Sequence, residues 1–146
     1  MSKDMFPAMV VLVLIGVAGG IYFAGAAEET GLSGQGSGLG VLWTSGDAEV
    51  AHRVCFMYTL HAKRQGWFDK VTLIVWGPSA RLLAGDKDLQ KAVKEMMAEG
   101  VKVQACMACA NSYGVAKDLR DLGIDVKGMG KPLSDLLQSE WKMLTF

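Results

Sequence analysis

"VKVQACMACANSYG", residues 101–114, contains a strand, a pair of cysteines and the start of a helix. Residues 101–106 read as a strand. The helix that follows turns Val115, Ala116, Leu119 and Leu122 inward and stops at Gly123. The same alternation runs outward in both directions. "VLWT" (41–44) reads as a first strand, followed by a helix whose start Ser45 or Asp47 can cap and whose stripe is Val50, Val54, Cys55, Tyr58 and Ala62. "VTLIVW" (71–76) is apolar throughout and reads as a strand buried on both faces. "GPSARLLAGD" breaks it, and Leu89, Ala92, Val93, Met96 and Met97 mark a helix ended by Gly100. Toward the C-terminus, "IDVKG" (124–128) is a fourth strand, Pro132 opens a short helix burying Leu133, Leu136 and Leu137, and "WKMLTF" (141–146) is a fifth strand. Strand and helix alternating in this way predict an α/β fold, a five-stranded doubly wound parallel sheet with helices on both faces. The flavodoxin-like order 2-1-3-4-5 suits it. In that order Gln104 sits in a central strand and needs a hydrogen-bond partner.

Ligands of doubly wound sheets bind beyond the carboxyl ends of the strands, near the reversal of strand order. With the order above, strands 1 and 3 flank the reversal, and their exits are "WTSGD" (43–47) and "ACMAC" (105–109). Cys106 then ends strand 3, and Cys109 lies in the first turn of the next helix. Free N–H groups and the helix dipole favour thiolate there, and thiolate is the nucleophile of sulfur and disulfide chemistry. The plain alternative is a pair of small buried thiols. Trp43, Thr44 and Ser45 from strand 1, and Trp76, Gly77 and Ser79 from strand 2, are the expected walls of the site.

No cofactor or metal is expected. A zinc site needs about four ligands, which only His52 and Cys55 could complete, and Cys55 lies roughly 12–15 Å along its helix from the strand ends. It reads as a core residue. "TSGDAE" (44–49) resembles a phosphate loop, but Asp47 at the helix start repels phosphate.

Met5 to Ala27 is an uncharged run of 23 residues, long enough for roughly 30 Å of hydrocarbon. It reads as a transmembrane anchor or as a signal helix, the latter with a cleavage site at "AGA" (24–26). The charged flanks favour a cytoplasmic N-terminus with the domain outside. Residues 28–40 read as a Gly/Ser-rich tether. Their glycines do not make a dinucleotide loop, because no strand precedes them and no helix follows. The domain is then 41–146, with 14 basic and 12 acidic residues, and the whole chain is neutral with 15 of each. That balance gives no electrostatic case for nucleic acid.

The domain resembles the DsrE/DsrF-like proteins, which include the sulfur-relay subunits of the Tus type. "VLWTSGD", "VTLIVWGPSARLL", "GVKVQACMACANSYGV", "LGIDVKGMG" and "WKMLTF" carry the resemblance in order across Val41–Phe146. It implies a small flavodoxin-like sandwich and a cysteine after the third strand that accepts sulfane sulfur as a persulfide, a place matched by Cys106 and Cys109. It also implies a homo-oligomer, a trimer or hexamer. The expected function is a sulfur carrier or sulfurtransferase-like protein, with Cys106 as carrier and Cys109 as resolver. It would be membrane-tethered through residues 5–27, or exported and periplasmic if that segment is cleaved. Its partner is a sulfur donor or acceptor protein or a small sulfane-sulfur compound. The alternatives are a thiol–disulfide redox protein using the same pair and a non-catalytic accessory subunit of a membrane complex.

Overall fold

The computed structural model describes residues 38–146, so the apolar segment 5–27 and tether residues 28–37 lie outside the described residues. Among the described residues no helix is long and apolar enough to cross a membrane.

Among the described residues five parallel strands form one sheet: β1 (Gly38–Trp43), β2 (Lys70–Val75), β3 (Lys102–Cys106), β4 (Asp125–Lys127) and β5 (Lys142–Thr145). The parallel α/β architecture is as expected, but the order is β4-β3-β2-β1-β5 rather than 2-1-3-4-5. The first four strands are laid down in sequence, each beside the last. Right-handed crossovers in one direction put their helices on one face of the sheet. Only the connection from β4 to β5 returns across the sheet, to the free side of β1. Gly38 and Gly40 make room for it. A Cβ at Gly38 would collide with the Trp141 ring, and one at Gly40 with the Met143 sulfur. These two glycines, counted with the tether in the sequence, are therefore strand residues chosen for close approach.

The strand period of two separates the cores. Leu39, Val41 and Trp43 of β1 and Val71, Leu73 and Val75 of β2 enter the larger core. Ile74 and Cys106 face the smaller one, against Met129, Leu133 and Leu136. Gln104 is buried, and its Nε2 donates to Asp125 Oδ2 at 2.8 Å, supplying the required partner from β4. Lys127 and Gln104 hold the Asp125 carboxyl below the usual range.

The first connection begins with α1 (Ala48–Val50), capped by Asp47, whose Oδ1 accepts from Glu49 N–H at 2.8 Å and Val50 N–H at 3.2 Å. It continues through a π-helical segment, Ala51–Phe56, into α2 (Met57–Arg64). The wider π turn shifts the inward stripe, because its repeat is i to i+5. Ala51, Cys55, Phe56, Thr59 and Ala62 are buried, while Val54 is 43 % exposed against expectation.

"PSARLLAG", read as a break, forms α3 (Pro78–Gly85). Proline in the first turn starts a helix rather than ending one, since the N–H it lacks would have no partner there. Asp86 then caps α4 (Lys87–Ala98), its Oδ1 accepting from Asp88 and Leu89 N–H at 2.9 and 3.0 Å. The single helix expected after β3 is two, α5 (Met107–Ser112) and α6 (Ala116–Asp121), parted at Gly114, where φ is +70°. On the opposite face lies α7 (Gly130–Leu137). Its Leu133 and Leu136 pack inward, but Leu137, expected to be buried, is 63 % exposed.

Candidate functional site

Cys106 ends β3 and holds the N-cap position of α5, still in extended backbone at φ −69°, ψ 114°. Its side chain is 5 % exposed and sits with Ile74 and Met129. Cys109, one turn into α5, is half-buried and packs on the same cluster beside Trp76. All three cysteines are free thiols. The Cys106 thiol is close enough to act on Cys109, and the backbone N–H of Gly77 is near enough to favour the Cys109 thiolate. Gly77 caps α3 with φ +69°, a conformation glycine adopts without strain.

Electrostatics modify the expectation of a readily formed thiolate. Burial pushes the Cys109 thiol up, the adjacent Cys106 thiol adds to the rise, and the Gly77 N–H only partly opposes it. A helix of six residues that begins beside an apolar cluster does not outweigh desolvation. Cys55 is fully buried in the larger core, its thiol pushed up to about 12 by burial, so it is inert packing as expected.

The pair lies at the carboxyl edge of the sheet, where neighbouring strands exit to opposite faces: β3 to α5 and α6 on one, β4 to α7 on the other. The numerical strand order turns between β1 and β5, and there the Phe146 backbone closes the gap. Thr44 N–H (2.7 Å), Thr44 Oγ1 (2.8 Å) and Ser45 N–H (3.1 Å) all donate to the Phe146 carbonyl. Thr44 and Ser45 thus hold the chain end rather than wall the thiols. Trp43 faces the larger core, 0 % exposed, with its ring centroid 4.8 Å from that of Phe56. Ser79 is buried, with its Oγ donating to Trp43 O at 2.7 Å and accepting from Trp76 N–H at 3.0 Å. It ties the ends of β1 and β2 together. Ser79→Ala is expected to cost about 1–2 kcal/mol in urea unfolding, and a loss of sulfur chemistry without loss of stability would contradict this bracing role. Of the expected walls, the structure brings Trp76 and Gly77 to the cysteines.

Sequence reasoning missed Met129 and Leu133 as neighbours of Cys106. The return of α7 across the sheet puts them there, and no local pattern signals it. Gly77 was legible as a residue, but its N–H toward Cys109 follows from the α3 that the sequence reading lacked. Among the described residues no group of three His, Cys, Asp or Glu side chains is placed to hold a metal ion.

A five-stranded parallel α/β domain with an adjacent dithiol at the strand-to-helix junction of β3 defines a small thiol protein. Its relatives are specific: the chain belongs to the DsrE/DsrF-like family, which matches residues 40–146 and is linked to sulfur relay. A Bacteroides thetaiotaomicron protein, BT1422, described as a conserved protein of unknown function, is 34 % identical. The match covers 79 % of this chain and 98 % of that one, with a TM-score of 0.73. The ychN protein of E. coli shares the fold at 15 % identity and a TM-score of 0.58, over 76 % of this chain and 99 % of that one. No curated protein matches the chain.

Proposed function

We propose that the protein is a sulfane-sulfur carrier in which Cys106 bears the persulfide and Cys109 resolves it. The observation that carries the reading is the dithiol itself: two free thiols on one cluster, at the end of β3 and one turn further on, with Gly77 nearby. In uptake, the Cys106 thiolate attacks the outer sulfur of a donor, R–S–SH. The donor S–S bond breaks, Cys106–S–SH forms, and R–S⁻ leaves with the bonding electrons. In discharge to an acceptor thiolate, the same outer sulfur moves on and the Cys106 thiolate returns. In the absence of an acceptor, Cys109 thiolate attacks the inner sulfur, a Cys106–Cys109 disulfide forms, and HS⁻ is expelled.

Loading the domain with inorganic polysulfide and weighing it intact tests the site. Wild type is expected to gain whole sulfur masses at early times, before the disulfide closes, and the Cys106→Ser/Cys109→Ser variant none at any time. Equal gain by both would remove this site from the chemistry. The closeness of the thiols also favours a thiol–disulfide couple, which would titrate reversibly against a redox buffer with no sulfur uptake. Placement outside the cytoplasm, attachment or export through residues 5–27, and assembly into a trimer or hexamer belong to the same proposal. They are supported by the uncharged run and by the resemblance. The native N-terminus in membrane and soluble fractions, and the native mass, test them.

A further inference from the structure

Cys106 and Lys127 are register partners across β3 and β4, one rung beyond Gln104 and Asp125. Register partners of parallel strands leave the sheet on the same face, about 5 Å apart, and residues two apart on a strand share a face as well. Gln104, Asp125, Cys106 and Lys127 therefore form a block of four on the face that carries α7. Three of its members are bonded: Gln104 Nε2 and Lys127 Nζ both donate to Asp125 Oδ2, at 2.8 and 2.6 Å. Cys106 is the fourth corner. Lys127 is half-buried and spends one of its three N–H groups on Asp125. Strand spacing and rise put its ammonium about 5–8 Å from the Cys106 side chain, from its own rung to that of Asp125. Lys131 of α7 is tied to both Asp135 oxygens, and Lys102 stands four residues before Cys106, about 13 Å along β3.

No histidine or lysine adjoins either cysteine in sequence. The register supplies a cation to Cys106, whereas Cys109 lies one turn away in α5. A charge on a side chain only 5 % exposed is costly to hold without an opposite charge close by. Building on the carrier reading, we infer that Lys127 is the counter-ion of the Cys106 thiolate, and that it marks Cys106 rather than Cys109 as the sulfur acceptor. Lys127 keeps its proton throughout. It offsets the charge on Cys106 before the uptake step above, in which that charge departs on R–S⁻, and again after discharge, when the thiolate returns. Asp125 draws on the same ammonium from the neighbouring rung and weakens its field at Cys106.

Alkylation by iodoacetate and by iodoacetamide tests this in a Cys109→Ser background, whose one other thiol, Cys55, is fully buried. The two reagents have nearly the same shape, differ by a charge and consume the same thiolate. Their rate ratio at Cys106, read by peptide mass, therefore reports the local field and not the amount of thiolate. Lys127→Gln should lower the iodoacetate-to-iodoacetamide ratio about threefold, the effect of one charge at this range in a dielectric near that of water. Lys127→Arg should keep the ratio, and Asp125→Asn, which leaves an oxygen for Gln104, should raise it. Added salt should narrow these differences. A ratio unchanged in Lys127→Gln, or lowered equally in Lys127→Arg, overturns the assignment. So does equal slowing of both reagents, the mark of a loosened fold, and so does a Cys106 that neither reagent labels. Sulfur uptake from polysulfide is scored separately. If uptake fails while the ratio responds to Lys127, the carrier reading falls and the counter-ion stands; if uptake proceeds with no response, the reverse holds.

Discussion

Cys109→Ser is expected to take up sulfur as wild type does and then keep it. In wild type the persulfide on Cys106 has a second thiol packed on the same cluster, so the inner sulfur is attacked from within the chain and sulfide leaves. Serine occupies the same place without a competent nucleophile, and the persulfide should live at least about tenfold longer. The pH dependence separates this from a general change in reactivity. Only thiolate attacks, and burial holds the Cys109 thiol above its ordinary value. Sulfide release by wild type should therefore accelerate through neutral and mildly alkaline pH, about tenfold per unit while the thiol remains mostly protonated. Release by Cys109→Ser should lack that rise. Sulfide electrodes and intact masses taken over time read both quantities. Equal sulfide release by the two proteins at every pH would show that Cys109 is not the resolver.

Trp43 carries the largest expected effect on stability. Its ring is fully buried and stands edge-on to Phe56, at 79° between planes. Trp43→Ala should cost about 3–5 kcal/mol, from lost transfer energy and the cavity left behind. Trp43→Phe should cost far less, about 1–2 kcal/mol. Burying an indole ordinarily requires a partner for its N–H, yet Trp43 Nε1 is buried with none among the described residues. Phenylalanine keeps the aromatic contact and gives up no hydrogen bond. Urea unfolding of the three proteins measures the differences. A Trp43→Phe loss as large as that of Trp43→Ala would mean that the indole N–H is hydrogen-bonded after all.

What could be read in advance was local, and what could not was set by long-range placement. The strand run 71–76 was legible because a buried parallel strand is apolar almost end to end. Gly100 and Asp47 were legible as punctuation, since a helix stop and a cap depend on their own backbone. Strand order was not. Nothing in "WKMLTF" states that it lies beside β1; the statement is shared with Gly38 and Gly40, whose missing side chains matter only once Trp141 and Met143 are set against them. The dithiol was legible as the carboxyl end of a strand, but the expected flanking pair was not right: strands 1 and 3 are not neighbours, because β2 lies between them. Phe146 closes the turn of strand order between β1 and β5, and the neighbours of Cys106 come instead from β2 and α7. The stripe of the first helix slipped at Val54 because periodicity assumes α-geometry and Ala51–Phe56 winds wider.

The pairing of β1 with β5 also has a kinetic side. Thr44 and Phe146 are bonded across 102 positions of sequence, whereas β1 and β2 are joined by a single helical connection. Closing so long a loop brings no return until β5 has docked, so within this sheet its pairing comes after that of β1 to β4. A strand arriving last into a row of waiting hydrogen bonds could settle one residue out of step, which would turn every side chain to the wrong face. The bare backbone at Gly38 and Gly40 works against that. Trp141 and Met143 fit over β1 in one register, and a shift by one residue sets the bulk of Trp141 against a side chain instead of a gap. Two glycines thus act as a folding checkpoint, admitting the terminal strand in a single alignment and leaving β1 open until it comes.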